Sequence, residues 1–244
     1  MSAPLVLLHG WGLTPAVWQP LRAALAAPRE VHAPALPGHG GAPATAATLD
    51  AWADALAPQI PPGAALCGWS LGALLAMRLA ARTPGAISKL ILIGASPCFV
   101  RRTDWAPALD ADTVNGFRHE FSVAPSQVLR RFIALQALGD AARRPVSAAL
   151  NAALTAVDDS TAPQLGDALS VLADTDLRAQ VANIACPVRL LHGAHDALMP
   201  VEAARWLADT LPEARLTVFD AAGHAPFLSR PDDCATLIST FIDD

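Results

Sequence analysis

Residues 64–82 read AALCGWSLGALLAMRLAAR and place a serine between two glycines. The apolar run AALCG predicts a strand, and the alanine-rich run LGALLAMRLAA predicts a helix directly after the serine. Between them, GWSLG matches the pattern G-x-S-x-G, which in this strand-to-helix context is typical of a nucleophile elbow. So sharp a turn leaves no room for side chains at Gly68 and Gly72 and holds Ser70 above the sheet. The stretch therefore predicts a nucleophilic Ser70, with an inert serine in a tight turn as the alternative.

The same alternation of short apolar runs and helical patterns continues along the chain. Strands are predicted at residues 5–9, 30–35, 64–68, 89–94, 188–193 and 215–220, and helices near 16–27, 47–57, 71–82, 201–210 and 232–242. Such alternation implies βαβ units around a parallel, mostly buried sheet. We therefore expect an α/β fold with a mostly parallel sheet of six strands and helices on both faces.

One long segment, residues 98–184, departs from this alternation. It contains no strand-like run, but SQVLRRFIALQAL and PVSAALNAALTAV show helical periodicity. The sequence therefore predicts an α/β core formed by residues 1–97 and 185–244, with residues 98–184 inserted as a helical cap.

Composition and charge narrow the class of protein. Of the 244 residues, 53% are hydrophobic and 16% charged, which is typical of a globular chain. A net charge of -5 argues against a nucleic-acid partner. The start, MSAPLVLLHGWG, has no basic region and only a short apolar run, so we expect a soluble protein without a membrane partner. Four scattered cysteines without a CxxC pair predict reduced thiols and a cytoplasmic location.

A serine nucleophile needs an oriented base, and two later loops supply candidates. In this architecture the acid and then the histidine follow the serine in chain order, each after a later strand. Asp196 follows the strand VRLLHG, and His224 follows the strand RLTVFD, so both lie where catalytic groups gather in such sheets. Asp220 and Asp174 are alternatives for the orienting acid, and a loop histidine without a role is the alternative for His224. We expect a triad of Ser70, His224 and Asp196.

The motif HGWG at residues 9–12 follows the first predicted strand. An oxyanion hole needs two backbone N–H groups aimed at the developing negative charge. One is expected from Leu71, just after the nucleophile, and the other from Trp11. The alternative is an ordinary glycine turn in which Trp11 is a core aromatic residue.

The remaining histidines are interpreted as structural or solvated: His9, His32, His39, His119, His192 and His195. The motif HGAH at residues 192–195 places two histidines close together, but no thiolate and no HExxH pattern accompanies them. We therefore expect no metal site, and nothing in the sequence implies a cofactor.

Seven segments carry a resemblance to a known family: LVLLHGWG (5–12), LPGHG (36–40), GWSLG (68–72), ASPCF (95–99), RFIALQ (131–136), DLR (176–178) and GHAPF (223–227). Together they resemble the α/β-hydrolase fold and, more narrowly, the BioH family of pimeloyl-acyl-carrier-protein methyl ester esterases. HGWG, GWSLG and HAPF are shared by many hydrolases, whereas ASPCF and RFIALQ are narrower signals. We expect two departures from the family: only four residues precede the first predicted strand, where many relatives carry a leading hairpin, and Ala35 stands where an aspartate is usual.

The resemblance implies hydrolysis of the methyl ester on a pimeloyl chain whose other end is linked to acyl carrier protein, a step of biotin synthesis. It implies the triad named above, with Trp11 and Leu71 as oxyanion residues that contact the substrate. It also implies that an acyl channel beneath the cap is lined by Phe132, Ile133, Ala134, Leu135 and Gln136. The alternative for this last stretch is ordinary helix core.

The predicted cap also differs from the rest of the chain in charge. Residues 101–144 hold seven arginines against five acidic residues, so this segment carries +2 and the remainder -7. Because carrier proteins are acidic, we expect docking through Arg130, Arg131, Arg143 and Arg144. The alternative is a solvated helix face.

Other functions fit the same pattern of residues. A general carboxylesterase, or a hydrolase or lyase acting on carbon–carbon bonds, could use the same triad and cap. A ligand receptor of the same fold could keep the pocket with little turnover. Apart from the carrier, we expect no macromolecular partner and a monomeric chain.

Overall fold

A parallel six-stranded sheet forms the centre of the computed structural model, which describes residues 3–25 and 29–244. The strands are β1 (Leu5–Leu8), β2 (Val31–His32), β3 (Ala65–Trp69), β4 (Lys89–Ile93), β5 (Val188–Gly193) and β6 (Ala214–Phe219). Their spatial order is β2-β1-β3-β4-β5-β6, and every neighbouring pair is parallel. The predicted α/β fold with six strands is confirmed.

Ten α-helices are found in the described ranges: α1 (Gln19–Ala24), α2 (Leu49–Leu56), α3 (Leu71–Arg82), α4 (Ala111–Val123), α5 (Pro125–Gln136), α6 (Arg143–Ala152), α7 (Thr161–Asp174), α8 (Val201–Thr210), α9 (Pro226–Ser229) and α10 (Pro231–Asp243). Short 3-10 helices occupy Pro15–Trp18, Ala57–Gln59 and Val181–Asn183. The helix predicted at 16–27 divides into a 3-10 turn and α1, and its last two positions lie outside the described residues. No helix in the described ranges is both long and apolar enough to cross a membrane.

The strands supply both faces of the sheet with apolar side chains. In β1, Leu5 and Leu7 join the core that α1 and α10 cover, whereas Val6 and Leu8 join the core that α2 and α3 cover. All four side chains are fully buried. Because alternate residues of a strand face opposite sides, a sheet covered on both faces requires such continuous apolar runs.

The segment 98–184 is described throughout, and it contributes α4 to α7 but no strand of the central sheet. These helices extend the two cores of the sheet, because Phe132 packs into one core and Ile133 and Val146 pack into the other. The side chain of Leu129 on α5 lies against Gly12 in the loop after β1. The boundaries at residues 97/98 and 184/185 stay a prediction.

The strand order places a crevice between two loops. Strand β1 has β2 on one side and β3 on the other, so the chain order reverses at this point of the sheet. In open α/β sheets the crevice outside the carboxyl ends of the strands at such a point is the usual ligand site. The loop after β1 carries Trp11, and the turn after β3 carries Ser70, so the sheet brings these two residues to the same crevice.

Candidate active site

The turn between β3 and α3 is too crowded for side chains on its glycines. A Cβ on Gly68 would lie 2.3 Å from the carbonyl oxygen of Gly72, and a Cβ on Gly72 would lie 2.1 Å from that of Leu8. Ser70 has φ 58° and ψ -119°, and it is the one described non-glycine residue with a positive φ. Such a conformation persists only where the surroundings enforce it, and it is typical of functional sites. The structure thus gives this turn the geometry of a nucleophile elbow.

The histidine and the aspartate expected to assist Ser70 are hydrogen-bonded to each other. The Nδ1–H of His224 donates to Oδ2 of Asp196 over 2.7 Å, and both side chains are fully buried. The other carboxylate oxygen, Oδ1, accepts the backbone N–H groups of Leu198 and Met199 at 2.9 Å each. Burial alone would raise the pKa of Asp196, but His224 and the other hydrogen bonds outweigh burial and hold that pKa below its usual value. Asp196 is therefore ionised at neutral pH and fixes which ring nitrogen of His224 carries the proton.

The two alternative acids lie elsewhere. Asp174 pairs with Arg118 at 3.1 Å, and Asp220 is exposed one residue beyond the end of β6. Neither carboxylate contacts His224. Of the three candidates, the structure therefore brings only Asp196 to the histidine.

The loop that carries His224 is attached to the elbow. The indole Nε1–H of Trp69 donates to the carbonyl oxygen of His224 over 2.9 Å, and the backbone N–H of Ser70 donates to Ile93 over 3.1 Å. The next residue after Ile93, Gly94, lies so close to the His224 ring that a Cβ there would be 3.1 Å from Cε1. The second ring nitrogen of His224, Nε2, is buried and has no hydrogen-bond partner in the described part of the chain. Because this nitrogen makes no hydrogen bond to the protein, it can accept a proton from a group at the elbow.

The expected oxyanion donors lie on either side of the crevice. In the described residues, neither the Trp11 nor the Leu71 backbone N–H donates to a protein acceptor. A Cβ on Gly10 would lie 3.4 Å from Cβ of Ser70, so the loop after β1 passes close to the serine. The helix α3 begins at Leu71, and the positive end of its dipole favours negative charge at this position.

The side chain of Trp11 has a separate, structural role. Its indole Nε1–H donates to the carbonyl oxygen of Leu165 on α7 over 2.8 Å. Its ring packs edge-on against Phe121 and Phe132, with centroids 5.2 and 5.0 Å away. Trp11 is therefore a core aromatic residue whose backbone N–H remains available.

The five residues of α5 expected to line an acyl channel do not share one environment. Phe132 and Leu135 line an apolar cavity of about 60 Å³; the other lining residues are Phe99, Leu109, Thr113, Val114, Phe117, Leu169 and Leu198. Ile133 is buried in the opposite core, and Ala134 is exposed on the outer surface of α5, so neither of them faces this cavity. The backbone carbonyl of Gln136 accepts the N–H of His224 over 3.2 Å, and its side-chain Oε1 is buried without a partner in the described residues. Phe132 and Leu135 thus share this cavity and Ile133 and Ala134 do not line it, while the acyl channel itself stays a prediction.

Three of the four arginines expected to dock a carrier keep an unpaired charge. Arg130, Arg143 and Arg144 are exposed and have no acidic partner in the described ranges. Arg131 is ion-paired with Glu120, and its guanidinium lies 5.8 Å from the centroid of the Phe117 ring. The unpaired positive charge lies at Arg130 on α5 and at the beginning of α6.

The two histidines of HGAH diverge. The ring of His192 is buried and contacts the carbonyl oxygen of Met199 at 2.8 Å, whereas His195 is exposed and its Nδ1 contacts Gly139 at 3.1 Å. His192 also lies 3.4 Å from Oδ2 of Asp196, a contact that the sequence analysis missed. The spacing of four residues between them is its only sequence signal. Within the described ranges, no group of three or more potential metal ligands occurs.

The parallel sheet, the elbow at Ser70 and the buried pair of His224 and Asp196 define an α/β hydrolase. The sequence pattern of the Alpha/beta hydrolase family matches residues 5–237. The chain belongs to this family and, within it, to the pimeloyl-[acyl-carrier protein] methyl ester esterases, because its similarity to members of that group extends over nearly its whole length.

Two relatives and one solved structure illustrate this similarity. The pimeloyl-[acyl-carrier protein] methyl ester esterase of Aromatoleum aromaticum is 56% identical over 248 aligned positions, which cover 99% of each chain. That of Chromobacterium violaceum is 40% identical, covering 98% of this chain and 93% of the relative. The esterase EaEST from Exiguobacterium antarcticum superposes with a TM-score of 0.83 at 21% identity, covering 100% of this chain and 94% of the other. This last similarity confirms the fold, and the relatives confirm the family resemblance.

Proposed function

We propose that this chain hydrolyses the methyl ester of pimeloyl-acyl-carrier-protein methyl ester, releasing methanol and pimeloyl-acyl carrier protein for biotin synthesis. The observation that carries the proposal is the state of His224. Its Nδ1 is bonded to an ionised Asp196, and its Nε2 is buried and unbonded beside the elbow that carries Ser70. The names of the relatives supply the substrate class.

The chemistry follows from these positions. Oγ of Ser70 attacks the ester carbonyl while Nε2 of His224 takes the serine proton, and Asp196 stabilises the resulting imidazolium. The tetrahedral oxyanion accepts hydrogen bonds from the backbone N–H groups of Leu71 and Trp11. His224 then gives the proton to the departing methoxide, so methanol leaves and an acyl-serine remains. A water molecule, deprotonated by His224, attacks this acyl group and releases the free carboxylic acid together with Ser70.

The substrate carries a more reactive group, the thioester to the carrier, which the enzyme must leave intact. Selectivity then depends on which carbonyl is placed beside Ser70. The small cavity lined by Phe132 and Leu135 has the apolar surface that a polymethylene chain would contact. A chain of fixed length held there would present the methyl ester to Ser70 and keep the thioester outside.

The carrier itself is proposed to dock on α5 and α6. Acyl carrier proteins are acidic, and Arg130, Arg143 and Arg144 present unpaired positive charge on these helices. Complementary charge of this kind accelerates association and fixes orientation. Arg131 contributes less, because Glu120 already neutralises it.

The deciding experiment compares three substrates with the purified protein: methyl pimeloyl-acyl carrier protein, free dimethyl pimelate and a short aryl ester. Ser70→Ala serves as the control and should abolish turnover of all three. We expect strong preference for the carrier-bound ester, with its thioester intact in the product by mass spectrometry. Turnover of the small esters alone would leave a general carboxylesterase and overturn the substrate assignment, and binding without turnover would indicate a receptor.

A further inference from the structure

The connection between α5 and α6, residues 137–142, contacts both loops that carry the acid and the base. The backbone N–H of Ala141 donates to the carbonyl oxygen of Ala221 over 2.9 Å. The carbonyl oxygen of Gly139 lies 3.1 Å from Nδ1 of His195, the residue before Asp196. A short piece of the cap therefore joins the loop after β5 to the loop after β6.

Asp140 lies in this connection and has an unusual environment for a carboxylate. It is 7% exposed and has no cationic partner in the described ranges. Its Oδ1 accepts the backbone N–H of Ala142 over 2.8 Å, and its Oδ2 accepts that of Gly223 over 3.0 Å. Burying a carboxylate is costly unless hydrogen bonds compensate. At this position one of the two compensating donors is the residue directly before His224.

Together these contacts fix the backbone of His224 from both sides. Asp140 holds the amide of Gly223, and the carbonyl of Gln136 accepts the amide of His224 over 3.2 Å. From the elbow, the indole of Trp69 donates to the carbonyl of His224. Gly223 lies close to the connection, because a Cβ there would be 2.9 Å from the carbonyl oxygen of Leu138.

We propose that Asp140 is a positioning residue for His224. By anchoring Gly223 to the cap, it sets the direction in which Nε2 faces Ser70. The inference rests on the proposed triad and adds a residue that neither the elbow motif nor the chain order of the triad indicates. Because proton transfer and attack depend on geometry within about 1 Å, loosening this anchor lowers the rate of chemistry rather than the affinity for substrate.

The test compares Asp140→Ala with Asp110→Ala, a control at an exposed aspartate that also binds backbone amides. Asp110 also lies in the cap and also accepts two backbone N–H groups, those of Asp112 and Thr113 at the beginning of α4, but it has no contact with the catalytic loops. The substrate is a short aryl ester, so the result does not depend on the carrier. We expect kcat to fall about tenfold or more in Asp140→Ala with KM within about twofold, and both constants to stay within about twofold in Asp110→Ala.

A spectroscopic readout separates positioning from general loosening of the fold. The proton that His224 Nδ1 shares with Asp196 should give a downfield one-dimensional NMR signal in the wild type and in Asp110→Ala. The signal should shift or broaden in Asp140→Ala. Thermal unfolding of all three proteins shows whether the two variants lose similar stability.

Two outcomes overturn the inference: a kcat within about twofold of wild type in folded Asp140→Ala, or an equal loss of kcat in Asp110→Ala. If Asp140→Ala does not fold, Asp140→Asn decides by the same criteria, because it keeps the side-chain volume and exchanges one acceptor oxygen for a donor. The variant Ser70→Ala distinguishes failure of the inference about Asp140 from failure of the proposed function. If Ser70→Ala retains activity, the triad itself is wrong; if it is inactive, the result at Asp140 stands alone.

Discussion

Gly72 is closely confined by backbone, and its replacement tests the elbow directly. In Gly72→Ala, the new Cβ would lie 2.1 Å from the carbonyl oxygen of Leu8, so β1 and α3 must separate. We expect the free energy of unfolding to fall by about 1–3 kcal/mol and esterase activity to be lost. Urea unfolding and an aryl-ester assay measure both effects.

A second glycine provides the matched control. Gly116 lies within α4 on the surface, and a Cβ there would meet nothing within 4 Å. Gly116→Ala should therefore stabilise the protein by about 0.5–1 kcal/mol through helix propensity, with unchanged activity. Similar losses of stability in both variants would contradict the assignment of the clash.

The hydrogen bond from His224 to Asp196 predicts the effect of removing one charge. In Asp196→Asn, the amide can donate to Nδ1, which places the histidine proton on Nε2 and prevents it from acting as a base. We expect kcat for an aryl ester to fall by about 10⁴-fold with the fold retained. The same change at the exposed Asp220 should leave kcat unchanged, and a large loss there would reopen the choice of acid.

At the scale of single residues, the sequence predicted the elbow and the triad, because these features depend on local crowding and on chain order. The glycines around Ser70 were recognisable because the clash they avoid arises within one turn, and Asp196 and His224 follow the order typical of this fold. Asp140 was not recognisable, since its bond to Gly223 joins residues 83 positions apart and no motif marks it. The contact between His192 and Asp196 was not recognisable either, because a spacing of four residues is too weak a signal to predict that the ring reaches the carboxylate.

Among the elements, α5 shows how helix geometry limits the role that the family resemblance implied for residues 132–136. Successive helical residues are rotated by about 100°, so five consecutive residues cannot all face one cavity. Phe132 and Leu135, three positions apart, share the cavity, whereas Ile133 and Ala134 point elsewhere. The helical periodicity predicted that helices occur between residues 98 and 184. It did not predict that they would divide their apolar side chains between the two cores of the sheet, because amphipathicity does not identify the partner surface.

Charge reversal on α6 tests the docking surface at this scale. In the double variant Arg143→Glu/Arg144→Glu, two unpaired cations become anions, so an acidic carrier should be repelled. We expect KM for the carrier-bound ester to rise about tenfold or more at low salt, with a smaller effect at high salt and no change for dimethyl pimelate. Steady-state kinetics with both substrates measure this difference.

The control for this variant is Arg22→Glu on α1, a reversal of another exposed arginine that has no acidic partner in the described ranges. It should leave KM for both substrates unchanged. Arg131→Glu should have a smaller effect than the double variant, because Arg131 is already paired with Glu120. Equal effects on carrier-bound and free esters would exclude α6 as the docking surface.

For the whole molecule, two buried histidines join separate segments beneath the crevice. Nε2 of His9 accepts the N–H of Leu36 over 3.0 Å, and the rings of His9 and His39 lie 5.3 Å apart. Burial lowers the pKa of His9 to about 3, with His39 contributing, and lowers that of His39 to about 4. In the pH range between 6.5 and these lowered pKa values, both rings are therefore neutral in the native state, whereas an unfolded chain would protonate them.

This difference predicts how stability depends on pH. In the unfolded chain both histidines titrate near their usual value of 6.5, so below that pH the unfolded state binds protons that the native state does not. The full stability is present above about pH 6.5, and each histidine removes about 1.4 kcal/mol per pH unit as the pH falls toward its native pKa. His39→Gln should therefore flatten the dependence of the unfolding free energy on pH between 6 and 4.5 by about one proton, measured by urea unfolding at several pH values. His119→Gln, at an exposed position, controls for the exchange of a histidine for glutamine. A curve for His39→Gln that runs parallel to the wild type would contradict the prediction and would mean that His39 is protonated inside the folded protein.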